Sequence, residues 1–510
     1  MNAFSTKHHF SSCRNGQTIP LAAIPCLPVA PFRTAVIEQV NHHGGRLASL
    51  FGWLHQNRLR LMAVIARDEV SQIDFTSTEL EYDSYPALTT DLPQAALFER
   101  ELAEQWHITP ENHPWLKPVR FESPRRAADR NVFARTPAAP GDIDYFTVEG
   151  EQIHEVAVGP VHAGIIEPGH FRFQCFGEKV LNLEVSLGYQ HRGIEKHLKG
   201  GPDLRSLHYL ETAAGDTTIG HALAYCRAQE GLAGVAAPPR AAVLRAILLE
   251  LERMANHTGD LGALAGDVAY LPTSSYCGRL RGDFLNLTAL LCGNRFGRNI
   301  LTPGGIRFDL DPERHKNLVQ RFTKAFDETE NAINLLWNSA SVLSRFEGCG
   351  KLRREKAFQL GTVGITARAC GISRDIRCDH PYGIFCFSQL PVSVGETGDV
   401  LARAQVRWLE MQRSRDFIVE ELNCLPESPI RVDPGTLRPE TVVVSLIEGW
   451  RGEICHTAIT DADGKFAAYK IVDPSFHNWP ALAMALRDEE ISNFPICNKS
   501  FNLSYCGHDL

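Results

Sequence analysis

Three consecutive segments decide how this chain is read: GPVHAGIIEPGHFRF (159–173), GEKVLNLEVSLGYQHRGIEKHL (177–198) and LHYLETAAGDTTIGHALAYC (207–226). Residues 171–176 and 179–185 have strand composition on either side of a Phe-Gly-Glu turn, which predicts a β-hairpin. Residues 219–230 are apolar and Ala-rich, which predicts a buried helix. The stretch also holds His162, His170, His191, His197, His208 and His221, with Arg192, Glu195 and Lys196 close behind one of them. Imidazole titrates near neutrality and binds metals, so the cluster points to a site. Six separately satisfied polar residues are the alternative.

A chain of 510 residues exceeds one hydrophobic core and implies two or three domains. Hydrophobic residues at 44% and charged residues at 22% are those of a globular protein, and a formal charge of −8 offers no basic face for nucleic acid. No apolar run reaches the length of a membrane span. The start, MNAFSTKHHFSSCRNGQTIP, lacks a basic-then-apolar leader pattern and reads as a short tail over 1–29. Fourteen cysteines are scattered without a C-x-x-C pair, the usage of reduced thiols.

Residues 30–120 read as a first compact unit. RLASLFGWLHQNRLRLMAVIARD forms strands, LPQAALFERELAEQWHI an amphipathic helix, and ITPENHPWLKPVR a closing loop. Taken alone, Phe98-Glu99-Arg100-Glu101 reads as helix with surface charges. Residues 121–150, rich in Arg, Ala and Pro, form a linker whose Arg125, Arg126, Arg130 and Arg135 face solvent or an acidic partner. Residues 151–510 then carry the hairpin and a succession of helices, one starting at Pro239, one over HKNLVQRFTKAFDETENAINLLWNS and one over GETGDVLARAQVRWLEM.

The run GPVHAG…EPGHFRF…GYQHRGIEK resembles the large subunit of group 4 energy-converting [NiFe] hydrogenases, of the formate hydrogenlyase and hydrogenase 4 component G type. It is also similar to the D subunit of NADH-quinone oxidoreductase (complex I). LLELERMANH, GNRFGRNILTPGGIRFDL, GISRDIRCDHPYG, GWRGE and the C-terminal SFNLSYCGHDL extend the likeness in order, and FEREL…HPWLKPVR resembles the C subunit of the same complex. The resemblance implies an α+β architecture. A small docking unit, like the complex I C subunit, is fused to a mainly helical large unit that carries a small β-region.

That family holds its metals with thiolates in C-G-x-C-G-x-x-H and D-P-C-x-x-C, soft ligands suited to nickel and iron. The resemblance places Ala214 and Thr217 at the first pair and Leu503 and Cys506 at the second, so a functional [NiFe] site is not expected and no directly bound cofactor is. His162 matches the first histidine of the complex I quinone-contacting turn. The second has only His170 nearby, and the quinone tyrosine falls at Gly215, with Tyr209 and Tyr225 in the vicinity. Glu195 matches a proton-relaying glutamate, for which a raised pKa beside histidines is expected; a Glu195–Arg192 ion pair is its structural alternative. Arg451 matches an arginine beside the metals, and His162, His191 and His221 are expected to line one cleft.

The reading is therefore a peripheral-arm subunit of a membrane-bound respiratory or hydrogenase-like complex, coupling electron transfer to proton or ion translocation without nickel. The alternatives are a quinone-reducing subunit of the NADH-quinone oxidoreductase type, and a non-catalytic scaffold. The partners implied are an iron–sulfur small subunit with a [4Fe–4S] cluster, antiporter-like membrane subunits and a ferredoxin-like subunit. The place implied is the cytoplasmic side of the inner membrane. No G-x-G-x-x-G in a βαβ setting supports direct NAD binding.

Overall fold

The computed structural model describes residues 9–126, 132–133, 139–162 and 166–510. Helices and sheets are mixed, in an α+β arrangement. The hairpin that organises the sequence forms as expected. Strands His170–Phe176 and Lys179–Ser186 pair antiparallel with Phe176 opposite Lys179, and Ile153–Val158 adds a third strand on the other side.

Towards the start of the chain lies a four-stranded antiparallel sheet in the order Ser11–Cys13, Gln72–Glu79, Arg58–Arg67, Gly45–His55. Its central hairpin turns on Gln56 and Asn57, both at positive φ, a conformation Asn tolerates well. Helices Val29–His42 and Ala96–Trp106 pack on this sheet. The second of these departs from the surface-charge reading, because Glu99 and Glu101 are buried. Glu99 accepts from the backbone of Leu88 and Thr89 and from the Thr89 hydroxyl. Glu101 pairs with Arg120 and with Lys470, far along the chain.

The tail expected over 1–29 is overturned for its described part. Ser11–Cys13 is an edge strand of the first sheet, and Thr18–Pro20 joins a second sheet in the order Phe466–Val472, Glu453–Thr460, Thr441–Glu448, Thr18–Pro20. Between the two strands, Asn15 acts as a strand residue through its side chain. Its amide oxygen accepts the Leu446 N–H at 2.8 Å and its amide nitrogen donates to the Leu446 and His380 carbonyls, each at 2.9 Å.

The linker reading also changes. Arg125 pairs with Glu122 and Glu195, and Arg126 donates to the Trp106 carbonyl and pairs with Asp83. Residues 122–126 are thus sewn to the molecule by internal ion pairs. Arg130 and Arg135 lie outside the described residues.

The rest of the chain is built on helices Thr218–Ala233, Pro239–Asp267, Leu271–Cys292, Pro312–Trp337 and Val400–Asn423, and one hydrophobic core runs through both parts. The Pro239–Asp267 helix starts at its proline, where the missing N–H costs nothing, and packs closely on Leu271–Cys292. A Cβ at Gly262 would stand 2.5 Å from the Cys277 Cβ, so glycine sets that approach. A second apolar cluster joins the hairpin (Phe171, Phe173, Leu183) to helices Pro474–Ala485 and Phe494–Phe501. Among the described residues no helix is long and apolar enough to cross a membrane.

Asn15→Ala should leave the backbone of Leu446 without its partners. We expect a loss of ~1–3 kcal/mol of unfolding free energy, read as a shifted urea midpoint with unchanged slope. An unchanged midpoint would return residues 9–20 to the status of a tail.

Candidate functional site

The segment 502–510 is the hub around which the candidate residues gather. Ser504 N–H donates to the Ser475 hydroxyl, Tyr505 N–H points to the Glu167 carboxylate, and the His508 carbonyl accepts from Arg120 Nε. The Asp509 carboxylate accepts the N–H groups of Gly188 and Gln190, and its carbonyl bonds the His191 ring at 2.8 Å. The Leu510 carbonyl accepts three N–H groups, from Arg192, Gly193 and Ile194.

Two arginines bind this segment to the turn 212–217. Arg192 donates to the carbonyls of Thr212, Ala213 and Cys506; it does not pair with Glu195. Arg451 grips both oxygens of Asp216, at 2.6 and 2.8 Å, and donates to the Asn502 carbonyl at 2.5 Å. Its guanidinium lies 3.9 Å from the Trp450 ring centroid, and the Trp450 indole N–H donates to the Asp216 carbonyl and Thr217 hydroxyl. Burial pushes the Asp216 carboxyl up, but Arg451 outweighs it and holds the group below the usual range.

The four positions assigned to thiolates therefore lie on the two turns that these arginines clamp together. Ala214, Thr217, Leu503 and Cys506 are all buried. Two carry no donor atom, and Thr217 is spent on Trp450, Arg451 and Asp216. Burial, with the Glu167 carboxylate beside it, pushes the Cys506 thiol up to about 12. This donor set does not fit a nickel–iron pair, which needs several thiolates. Among the described residues no group of three or more His, Cys, Asp and Glu side chains is placed to hold a metal ion. A side chain at Gly215 would meet nothing within 4 Å, so the seam opens there. Tyr209 instead stacks on His197, and Tyr225 packs against Phe466 and Tyr469.

Behind the seam runs a buried chain. The Tyr469 hydroxyl lies 3.0 Å from His456 Nδ1, His456 Nε2 lies 3.1 Å from His221 Nδ1, and His221 Nε2 lies 3.0 Å from Asp473. One assignment satisfies every atom: Tyr469 donates to His456, His456 to His221, and His221 to Asp473, with both rings neutral. Burial, helped by His221, drives the His456 pKa far down. Burial raises the Asp473 carboxyl, yet the His221 hydrogen bond and the Arg451 guanidinium hold it below its ordinary value.

The expected site residues are only partly brought together. His162 bonds the Gly169 carbonyl at 2.9 Å, on the loop whose Glu167 reaches Tyr505; His191 bonds Asp509. His221 is fully buried and so faces no open cleft. His170 bonds the Gly159 carbonyl and Arg172. Glu195 differs from the expectation of a raised pKa. Burial alone would raise it, but Lys470 at 3.1 Å and Arg125 at 2.7 Å overrule burial and hold it far below the usual carboxylate range. It shares no hydrogen bond with His162 and does not titrate near neutrality.

One buried acid near the seam went unrecognised in the sequence. Glu252 accepts the N–H groups of Ile219 at 2.7 Å and Gly220 at 3.2 Å. It thereby caps the Thr218–Ala233 helix, whose own N-cap residue, Thr217, makes no capping bond to the helix. Burial pushes its carboxyl up to about 8, with Asp216 adding to the effect. The signal was a second acid in LLELER, on a helix otherwise apolar enough to be buried.

Comparison with known proteins agrees with the architecture. Residues 267–437 match the family described as respiratory-chain NADH dehydrogenase, 49 kDa subunit. The chain is 33% identical over 333 residues to the D subunit of NADH-quinone oxidoreductase from Dehalococcoides mccartyi strain BAV1, covering 64% of this chain and 89% of that one. It is 28% identical over 444 residues to formate hydrogenlyase subunit 5 of Escherichia coli K12, covering 82% and 76%. It is 28% identical over 350 residues to the carbon monoxide-induced hydrogenase of Rhodospirillum rubrum, covering 68% and 97%.

The two buried glutamates should act on stability with opposite pH signs. Glu195, depressed on folding, stabilises above its unfolded pKa of about 4.3 and loses that contribution as pH falls. Glu195→Gln should therefore cost ~3–5 kcal/mol at neutral pH, with the gap to wild type closing in acid. Glu252, raised on folding to about 8, contributes below its unfolded pKa and loses that contribution as pH rises. Glu252→Gln should gain on wild type between those two values and stay level above them. Urea midpoints from acid to mildly alkaline pH check both slopes.

Proposed function

The chain belongs to the family of the NADH-quinone oxidoreductase D subunit and the respiratory-chain NADH dehydrogenase 49 kDa subunit, to which group 4 hydrogenase large subunits are related. From that premise we propose that it is the peripheral-arm subunit of a membrane-bound complex that couples electron transfer to ion movement without a nickel–iron centre of its own. One observation carries the reading. Arg451 and Arg192 clamp the turn 212–217 against the segment 502–510, and Ala214, Thr217 and Leu503, at the positions the resemblance assigns to metal ligands, supply no thiolate.

In this reading an iron–sulfur partner passes electrons to an external acceptor bound at the open seam at Gly215, which is reduced and takes up the protons, and antiporter-like membrane subunits use the energy released. The unit over 30–120 serves as a docking piece of the complex I C-subunit type, and the chain sits on the cytoplasmic face of the membrane. The protein's own contribution is to hold and release protons beside the seam. Glu252 suits that task, since its carboxyl titrates near neutrality and a positioned acid accelerates proton transfer substantially. Glu195 serves as a charge anchor for Lys470 and Arg125. Quinone reduction has less support, because Gly215 offers no phenol and His162 is already engaged by Gly169.

The assembled complex should contain far less nickel than one atom per chain and take up no hydrogen, yet turn over with an external electron acceptor. Glu252→Gln should lower turnover per assembled complex by roughly 10²-fold or more. Stoichiometric nickel with hydrogen uptake would overturn the reading. Wild-type turnover in Glu252→Gln would remove the proton role, and absence of any redox turnover would leave a scaffold.

A further inference from the structure

A cavity of about 280 Å³ lies on the far side of the Thr218–Ala233 helix, where the turn at Gly16 meets residues 382–385. Its walls include Val235, Ala237, Ala242, Ala246, Ile384 and Phe385, apolar and mostly small. Arg227 also lines it, together with Arg245 and Glu230. Arg227 lies 5.2 Å from the Tyr382 ring centroid, and its Nε is buried without a partner. Among the described residues its guanidinium makes no hydrogen bond and no ion pair.

That is unlike the other arginines of the interior. Arg245, beside the same cavity, is paired with Glu230 and donates to two carbonyls. Arg403 has no carboxylate but donates to Gly350, Gly398 and Ser500. Five N–H donors on one planar group are seldom left idle in a folded protein. Nearby groups cannot serve Arg227, because Glu230 is taken by Arg245 and the Gly304 N–H. The Tyr382 hydroxyl is occupied by the Glu448 N–H.

The surroundings keep the group in place and keep the space free. A Cβ at Gly16, whose φ is +77°, would stand 2.8 Å from an Arg227 terminal nitrogen, so any larger residue would press on the guanidinium. The Pro239–Asp267 helix begins at the cavity with no acidic residue in its first turn, and its N-terminal dipole adds positive potential.

We propose that this cavity binds a small apolar monocarboxylate, paired through both oxygens with Arg227 and seated by its hydrocarbon body among the alanines. A guanidinium matches a carboxylate two bonds to two. Arg245 is already paired with Glu230, so one uncompensated cation faces the apolar walls, and a phosphate dianion is disfavoured because its second charge would be buried unpaired. The volume lies near the lower end for small-ligand pockets, about 300–1,000 Å³, which suits a medium-chain fatty acid or an aryl carboxylate. The site is separate from the seam and does not depend on its reading.

The test uses the full-length protein with octanoate, benzoate, octanol and inorganic phosphate, followed by calorimetric titration and thermal unfolding. Octanoate or benzoate should bind saturably and raise the Tm, with octanol and phosphate weaker by about ten-fold or more. Arg227→Gln loses no hydrogen bond or ion pair, only the contact with the Tyr382 ring, so it should fold with a Tm close to wild type and bind the acids about ten-fold more weakly or worse. Ala242→Leu fills the cavity while keeping the charge, and should also abolish binding. The proposal fails if neither acid binds at millimolar concentration. It fails equally if phosphate binds more tightly than the acids, or if either variant binds them as wild type does.

Discussion

Four carboxylates and three guanidinium groups share one buried space among the helices, and the rest of the molecule is arranged around keeping them satisfied. Glu250 meets Arg253 and Arg377; Glu410 meets Arg253, Arg368 and His257; Asp375 meets Arg377; Glu448 meets Arg368. All eight side chains are nearly or fully buried. Four negative groups against three positive ones leave one charge over, and two directions of shift resolve it. Burial pushes Glu448 up to about 7 despite Arg368. Burial also lowers the His257 pKa, so that ring stays neutral and adds no positive charge. One proton on the cluster balances it.

Such a network adds little net stability over an apolar core, but breaking one arm costs ~3–5 kcal/mol. Its value is in register. It joins the Pro239–Asp267 helix, Gly364–Arg368, Ile376–Asp379, Val400–Asn423 and the strand Thr441–Glu448, elements far apart in sequence. Arg253 also donates to the Glu448 carbonyl at the end of that strand. Gly449 follows, and then Trp450 and Arg451, which hold Asp216 and Thr217. The position of the seam is thus inherited from the charge network through a few covalent bonds.

This hierarchy explains what could be read in the chain beforehand. The 170–186 hairpin, the Thr218–Ala233 helix and the Pro239 start follow from local pattern, and each formed close to its expected bounds. The buried charges could not be read that way. Periodicity treats Glu101, Glu250 and Arg253 as solvent-facing because their partners, Lys470, Arg377 and Glu410, lie elsewhere in the sequence. The same non-locality reversed the expectation for Glu195, where burial beside histidines suggested an acid that titrates. Lys470 and Arg125, remote in sequence, keep it ionised. Residues 9–20 misled for a related reason, since short polar strands that complete two different sheets carry no amphipathic signal of their own.

The seam itself has an electrostatic logic that does not need a metal. A guanidinium buried as deeply as Arg451 requires a nearby negative charge, because an unpaired buried cation is costly. In a thiolate-ligated site the anionic sulfurs would be at hand. In this chain Ala214, Thr217 and Leu503 bring no such charge, and Cys506 stays a neutral thiol. Asp216, inside the same turn, takes the part through a two-oxygen grip. The grip closes the turn against Asn502 as a salt-bridged clamp. Glu252 lies behind that clamp with its proton, and Asp216 is one cause of its raised pKa. The charge that satisfies Arg451 therefore also helps set the acid that the proposed function uses.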